Sequence, residues 1–472
     1  MSHISSSVMF AMHFSASSPS PLRWSTKIHF CRYSLCTGLM SLILGISAPT
    51  LAQAASADCV PLKALQPPQA NTTAPHKPFF IDTSGLSGSG AMPIHDPHDP
   101  HDPLYPKAID LPDNALPPVD KTGNYILGTS HTLPAQWQNI QLPEGRIISF
   151  TLASSPTSGY NPGTVRDDPV PCTTSTGEAG MVHVSTSVPG DPSNLTVPGA
   201  HPAPWTRTVD VYIPPNTPTD RPLPFLIFGD GSNNGLYPGR DLFAMVDGLM
   251  KEKRIPPMIV IGVGAGGGDA QGSERGREYD TMSGAYADWV EAHVLPLVEK
   301  KASLTLSRNP EERATMGFSS SGAAAFAMAW FRPNLYHRVL AYSPSLVNQQ
   351  WPHDPALPGG GWQLHSPWAG TPEAVPPHPG AALIPAAPLA PLHIWYEVGD
   401  QDLFYPVPSM PDGMHDWVLA GENMARVLAD KGYDYQFVFA RNARHVDGPT
   451  IEQTLPEALE WLWRPHMPPT TP

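Results

Sequence analysis

Six short apolar runs, separated by longer amphipathic stretches, dominate the second half of this 472-residue chain. They are Leu223–Phe228, Met258–Val263, the approach Arg313–Phe318, Val339–Tyr342, Leu392–Tyr396 and Tyr435–Phe439. Such runs, without apolar–polar alternation, read as strands buried on both faces. Between them, residues 285–300 place Trp289, Val290, Val294 and Val298 on one helical face. Residues 416–431 do the same with Val418, Met424, Val427 and Leu428. A last helix carries Leu455, Ala458, Leu459 and Leu462 behind a capping box of Thr454 and Glu457. Buried strands alternating with amphipathic helices predict an α/β fold, a mostly parallel sheet with helices on both faces. In such sheets the functional residues lie outside the C-terminal strand ends.

The third run leads into Gly317-Phe-Ser319-Ser-Ser-Gly322 and then into an Ala-rich helical stretch ending near Trp330. A strand, a tight turn and a buried helix with a serine at the apex form a nucleophile elbow, the turn of α/β-hydrolases. Small residues must flank the serine because strand and helix approach closely there. Gly317 and Gly322 fit, whereas Ser321 stands where a second glycine is usual.

A serine hydroxyl is a weak nucleophile. It needs an imidazole to take its proton and an acid to orient that imidazole. His445 follows the last run, and Asp400 and Asp402 follow the fifth, with Glu397 just inside it. The order Ser, Asp, His is that of α/β-hydrolases. A tetrahedral oxyanion also needs N–H donors. Ser320 N–H, just past Ser319, is one candidate; Asp230 and Gly231, at the end of the first run, offer the other.

Hydrophobic residues make up 41% of the chain, enough for a large core, and 59 prolines predict extensive loops. Residues 1–54 read as a signal peptide: Arg23, Lys27 and Arg32 precede the apolar Leu39–Ile46, and Ala52-Gln-Ala54 resembles a cleavage site. That apolar run is too short to span a bilayer, so no stable membrane anchor is expected. Removing its three basic residues leaves 25 Lys and Arg against 42 acids, a net −17. Such an acidic surface disfavours nucleic acid and anionic membranes. Residues 55–120 read as a Pro-rich, disordered linker holding the His95-Asp-Pro repeat through Pro103, and Cys59 and Cys172 are candidates for a disulfide. Residues 121–204 read as a small β region with a loop insert, or as leading antiparallel strands of the main sheet. Residues 205–466 form the hydrolase domain, and 467–472 a tail.

Several further segments carry a family resemblance: Ser158–Arg166, Phe228-Gly-Asp-Gly231, Ile255–Met258, Arg275-Gly-Arg-Glu-Tyr-Asp-Thr281, the elbow, Ser343–Asn348, and Gly432 through His445 to Arg464. In this order the chain resembles the enterochelin esterase-like branch of the α/β-hydrolases, the predicted carboxylesterases. The resemblance implies a serine esterase with Ser319 as nucleophile and His445 as general base. The family's glycine-x-x-aspartate pattern places the acid at Asp402, with Asp400 and then Glu397 as alternatives. Substrate-side roles are expected for Arg275 and Glu278, which also hold the loop opposite the elbow, and for Ser343. Trp351, with Trp362 and Trp368 in a Pro-rich insert at about 349–390, is expected to face an aromatic or sugar group. The expected substrate is a small-molecule or carbohydrate ester, siderophore-like or feruloyl-type, handled without metal or cofactor. An acyltransferase with the same triad and a silent binding protein on the same fold are the alternatives.

Overall fold

The computed structural model describes residues 107–465 except 139–142, 156–158, 167–180, 184, 187–194, 197–199, 219, 232–241, 269, 271, 353, 355, 358, 368–380 and 405–413. The strand pieces Cys59–Pro61, Gln69–Ala70 and Ile81–Asp82 are described as well. The expected signal peptide, the His-Asp-Pro repeat, Cys172 and Trp368 lie outside the described residues. Everything described falls within the unit Gln53–Pro472.

Each of the six apolar runs becomes a strand of a sheet that has ten strands among the described residues. In chain order they are β1 (Ala108–Asp110), β2 (Gly123–Leu127), β3 (Arg146–Ala153), β4 (Thr206–Ile213) and β5 (Phe225–Gly229). β6 (Ile259–Val263), β7 (Arg313–Phe318), β8 (Arg338–Tyr342), β9 (His393–Gln401) and β10 (Asp434–Arg444) follow. The spatial order is β1-β2-β10-β9-β8-β7-β5-β6-β4-β3. All pairs from β1 to β6 are parallel; β4 and β3 close one edge antiparallel. Between 121 and 213, β3 and β4 join the main sheet antiparallel as one of the two readings had it, but β2 joins it parallel, and Gly163–Arg166 pairs with Ala200–Ala203 in a separate two-stranded sheet. β1 lies inside the stretch expected to be linker, and its register Ile109 to Tyr125 gives the sheet an extra parallel edge.

The runs lack alternation because both faces are covered. In β5, Phe225 and Ile227 enter one core while Leu226 and Phe228 enter the other. The first core packs beneath α3 (Ala285–Trp289), α4 (Leu295–Ala302), α5 (Ser320–Phe331) and α7 (Trp417–Lys431). The second packs beneath α1 (Leu242–Lys251) and α8 (Gly448–Trp463). The π turn Val290–Val294 joins α3 to α4, and α2 (Glu274–Tyr279) and the short α6 (Leu383–Ala386) complete the set.

The last helix starts earlier than the capping box implied. Asp447 is its N-cap, accepting from Thr450 N at 3.0 Å, and a proline occupies the first turn. Thr454 is interior instead, donating to Thr450 O at 2.7 Å. An Asp-Gly-Pro start outcompetes an internal Thr-x-x-Glu, because proline's missing N–H costs nothing in a first turn.

Candidate active site

Four parallel strands end at one rim, and each delivers a polar residue there. Ser319 follows β7, Ser343 follows β8, Asp402 follows β9 and His445 follows β10. The backbone at this rim is held in a conformation that side chains resist. Ser319 has φ 55°, Ser343 φ 43°, Asp230 φ 58° and Val446 φ 52°. For a β-branched residue such as Val446 this is a true outlier, and such strain collects at functional turns.

The turn at Ser319 lifts its Oγ toward His445. Nε2 of His445 lies 2.9 Å from Ser319 Oγ, and Nδ1 lies 2.6 Å from Asp402 Oδ1. An ionised carboxylate only accepts, so Nδ1 carries the proton and Nε2 is left to accept from the serine. Asp402 has no solvent-exposed side-chain surface, while the imidazole is 22% exposed. Oδ1 of Asp402 also accepts from Leu403 N at 2.6 Å. Trp417, the first residue of α7, sets its ring edge-on to His445 at 5.8 Å between centroids. A second hydroxyl, Ser345 Oγ, stands 3.4 Å from Ser319 Oγ, and Ser345 N donates to Ser319 O at 3.0 Å.

The other two acids are placed differently. Asp400 is still within β9, and its Oδ1 accepts from Ala443 N at 3.2 Å, pinning the segment that leads to His445. Burial pushes its carboxyl up to about 7. Glu397 is fully buried behind the rim with no hydrogen-bond partner on either side-chain oxygen. Burial first, then the charges of Asp402, Asp447 and Asp400, drive its carboxyl well above the ordinary range. Of the three acids, only Asp402 is bonded to His445.

Ser321 explains its departure from the expected glycine. Its Oγ donates to Phe318 O and accepts from Phe318 N, both at 2.8 Å, tying the helix start back onto β7. Its Cβ fits because Gly229 on β5 has none; a Cβ there would come within 2.9 Å of Ser321 Cβ. A Cβ on Gly317 would meet the Ser321 backbone at 2.2 Å, which makes that glycine obligatory.

Several expected roles are corrected. Glu278 does not face a substrate: it is fully buried and paired bidentately with Arg207, itself stacked on Trp205 at 3.8 Å and Trp289 at 4.4 Å. Ser343 is also fully buried; its Oγ accepts from Val446 N at 2.9 Å and so fixes the backbone just past His445. Arg275 grips Asp230 through Nε and Nη2 at 3.1 and 2.8 Å and so ties down the loop after β5. The two N–H groups offered by that loop are engaged within the fold: Asp230 N donates to Tyr279 Oη at 3.1 Å and Gly231 N to Val263 O at 3.3 Å. Ser320 occupies the first position of α5, where a backbone N–H has no intrahelical acceptor. Trp362 is buried against His365, at 5.1 Å between rings, and belongs to the core. Trp351 is partly exposed, and its carbonyl accepts from Thr281 Oγ1 at 3.2 Å. Among the described residues no group of three His, Cys, Asp or Glu is placed to hold a metal ion, and no helix is long and apolar enough to cross a membrane.

Sequence reasoning missed Arg207, Asp280, Gln349 and Ser345. For Arg207 a signal existed. It shares the parity of Val209 and Val211 in β4, so it had to be buried and to need an acid.

The fold and the rim together define an α/β-hydrolase-type protein. Residues 201–435 match the family profile described as "Putative esterase", and this part of the chain belongs to that family. The match takes in Ser319 and Asp402 and ends before His445. Among solved structures, the chain is similar to the ferric enterobactin esterase of Salmonella typhimurium, with 15% identity over 72% of this chain and 63% of that one, and a TM-score of 0.40. It is similar to a CE1 ferulic acid esterase of Anaeromyces mucronatus, with 14% identity over 71% and 97%, TM-score 0.39. It is also similar to the enterobactin esterase of Shigella flexneri, with 18% identity over 55% of this chain and TM-score 0.37; the chain spans 56% of that enzyme's length. The comparison with curated proteins gives no match.

Proposed function

We propose that the protein is an exported serine esterase that hydrolyses a carboxylic ester through an acyl-enzyme. The observation that carries this reading is the unbroken chain Ser319 Oγ, His445 Nε2, His445 Nδ1, Asp402 Oδ1, with links of 2.9 and 2.6 Å. His445 takes the hydroxyl proton as Ser319 Oγ attacks the ester carbonyl. Asp402 fixes the imidazole's tautomer and stabilises the imidazolium. The tetrahedral oxyanion is held by Ser320 N–H at the start of α5, where the helix's positive end adds to the hydrogen bond. His445 then returns the proton to the departing alkoxide. Water, deprotonated by the same imidazole, releases the acid and frees Ser319.

A siderophore-like ester or a feruloyl or other carbohydrate ester is the proposed substrate class, in keeping with the esterase family and the sequence motifs. Destination outside the cytoplasm rests on the basic-then-apolar pattern of residues 1–54. The test is turnover of p-nitrophenyl acetate followed by a panel of catechol trilactones, feruloyl sugars and acetylated sugars. Ser319→Ala should cut kcat by about 10⁴–10⁶ at unchanged melting temperature. Full activity in Ser319→Ala contradicts the reading, and product partitioning to an added alcohol identifies a transferase instead.

A further inference from the structure

Directly beneath the proposed oxyanion donor lies a closed ring of three buried polar side chains. Ser320 Oγ donates to Asp280 Oδ2 at 3.1 Å, Gln349 Nε2 donates to Asp280 Oδ1 at 2.8 Å, and the same Nε2 lies 3.0 Å from Ser320 Oγ. Asp280 and Ser320 are each 1% exposed and Gln349 is 9% exposed. The ring joins three segments far apart in sequence. Asp280 caps the C-terminus of α2, its N–H donating to Gly276 O at 2.9 Å. Ser320 begins α5. Gln349 opens the proline-rich insert, and its neighbour Gln350 accepts from Met282 N at 2.9 Å through Oε1, doubling the link.

A carboxylate buried at such a place costs free energy unless it is fully bonded, and apolar side chains would fill the same space without that cost. The ring's geometry fits a role beyond filling space. Ser320 is the residue whose N–H must stay aimed at the oxyanion, and its side chain is held from two directions. Holding that side chain fixes the Ser320 Cα and the first turn of α5, and the N–H is carried by both. We infer that Asp280 and Gln349 are positioning residues that hold the Ser320 amide on the developing oxyanion. The α2 segment then braces both sides of the rim, since Arg275 and Tyr279 from the same helix hold Asp230 on the opposite loop.

This inference rests on the esterase reading above, and the experiment separates the two. Full-length wild type, Ser320→Ala, Asp280→Asn, Gln349→Ala and the double variant Ser320→Ala/Asp280→Asn are compared on p-nitrophenyl acetate, together with inhibition by an aryl trifluoromethyl ketone, which forms an oxyanion adduct on serine. Ser320→Ala keeps the amide and leaves Asp280 and Gln349 paired, so it should fold. Losing an oxyanion donor outright costs about 10²–10³ in kcat. Loosening one should cost about tenfold in kcat and a similar factor in ketone affinity, with KM unchanged. The double variant should be no worse than the poorer single variant, because both act through one contact. Unchanged kcat and ketone affinity in Ser320→Ala, or multiplying losses in the double variant, overturns the positioning role. Wild-type turnover that survives Ser319→Ala overturns the esterase reading itself.

Discussion

At Ser321 a side chain stands where the elbow expects none, and the space comes from Gly229 across the turn. Gly229→Ala should destabilise the protein by about 1–3 kcal/mol through overpacking. Adding Ser321→Gly should restore most of it, because the two Cβ positions compete for one volume. Chemical denaturation of the two single variants and the double variant checks this; strict additivity would show that the clash is absent. The acids divide in the same residue-by-residue way. Asp402→Asn should lower kcat by up to about 10⁴ with the fold intact, since the carboxamide misorients the imidazole. Asp400→Asn should keep most activity, because its Oδ1 can still accept from Ala443 N. A dead Asp400→Asn beside an active Asp402→Asn would move the acid by two residues.

Among the elements, α2 carries the most consequence for its length. Arg275→Ala removes the grip on Asp230 and should lower kcat/KM by about tenfold or more, as small misplacements near a reacting centre do. Melting temperature should change little, because a part-exposed pair contributes at most about 1 kcal/mol. Steady-state kinetics beside a melting curve decides it, and an unchanged rate would remove the loop from the account. Elements also show what was legible. The six strands could be read because burial on both faces leaves unbroken apolar runs. The elbow could be read because close packing demands glycine at 317. Glu278 could not, since a charge in the Arg-Gly-Arg-Glu sequence looks alike on a surface or against Arg207 in the core. Ser343 failed for a similar reason: a serine beyond a strand end reads as a substrate contact until its donor, Val446 N, is seen. Asp280 and Gln349 meet only through folding, and nothing in their local sequence announces it.

For the whole molecule, buried carboxyls make stability depend on pH. Glu274, raised to about 8 by burial first and then by the charge of Glu278, has neither side-chain oxygen hydrogen-bonded, with Arg277 at 3.6 Å. Asp400 and Glu397 are raised too. A carboxyl whose folded value exceeds its unfolded one binds its proton more tightly in the folded state. Its stabilisation is complete below the unfolded value near 4.5 and is lost as pH rises through the folded value. Glu274→Gln should therefore gain melting temperature relative to wild type as pH rises from 5 to 8, with little difference at pH 4. A constant offset across that range would mean Glu274 is ionised in the fold.

In the proposed reaction Ser319 is the activated nucleophile of this rim. Incubating the full chain with a fluorophosphonate at neutral pH and mapping the adduct by mass spectrometry tests it most directly. One phosphonyl group per chain is expected, on Ser319, and none in Ser319→Ala or His445→Ala. An adduct on Ser320, Ser321 or Ser345, or no adduct in wild type, contradicts it.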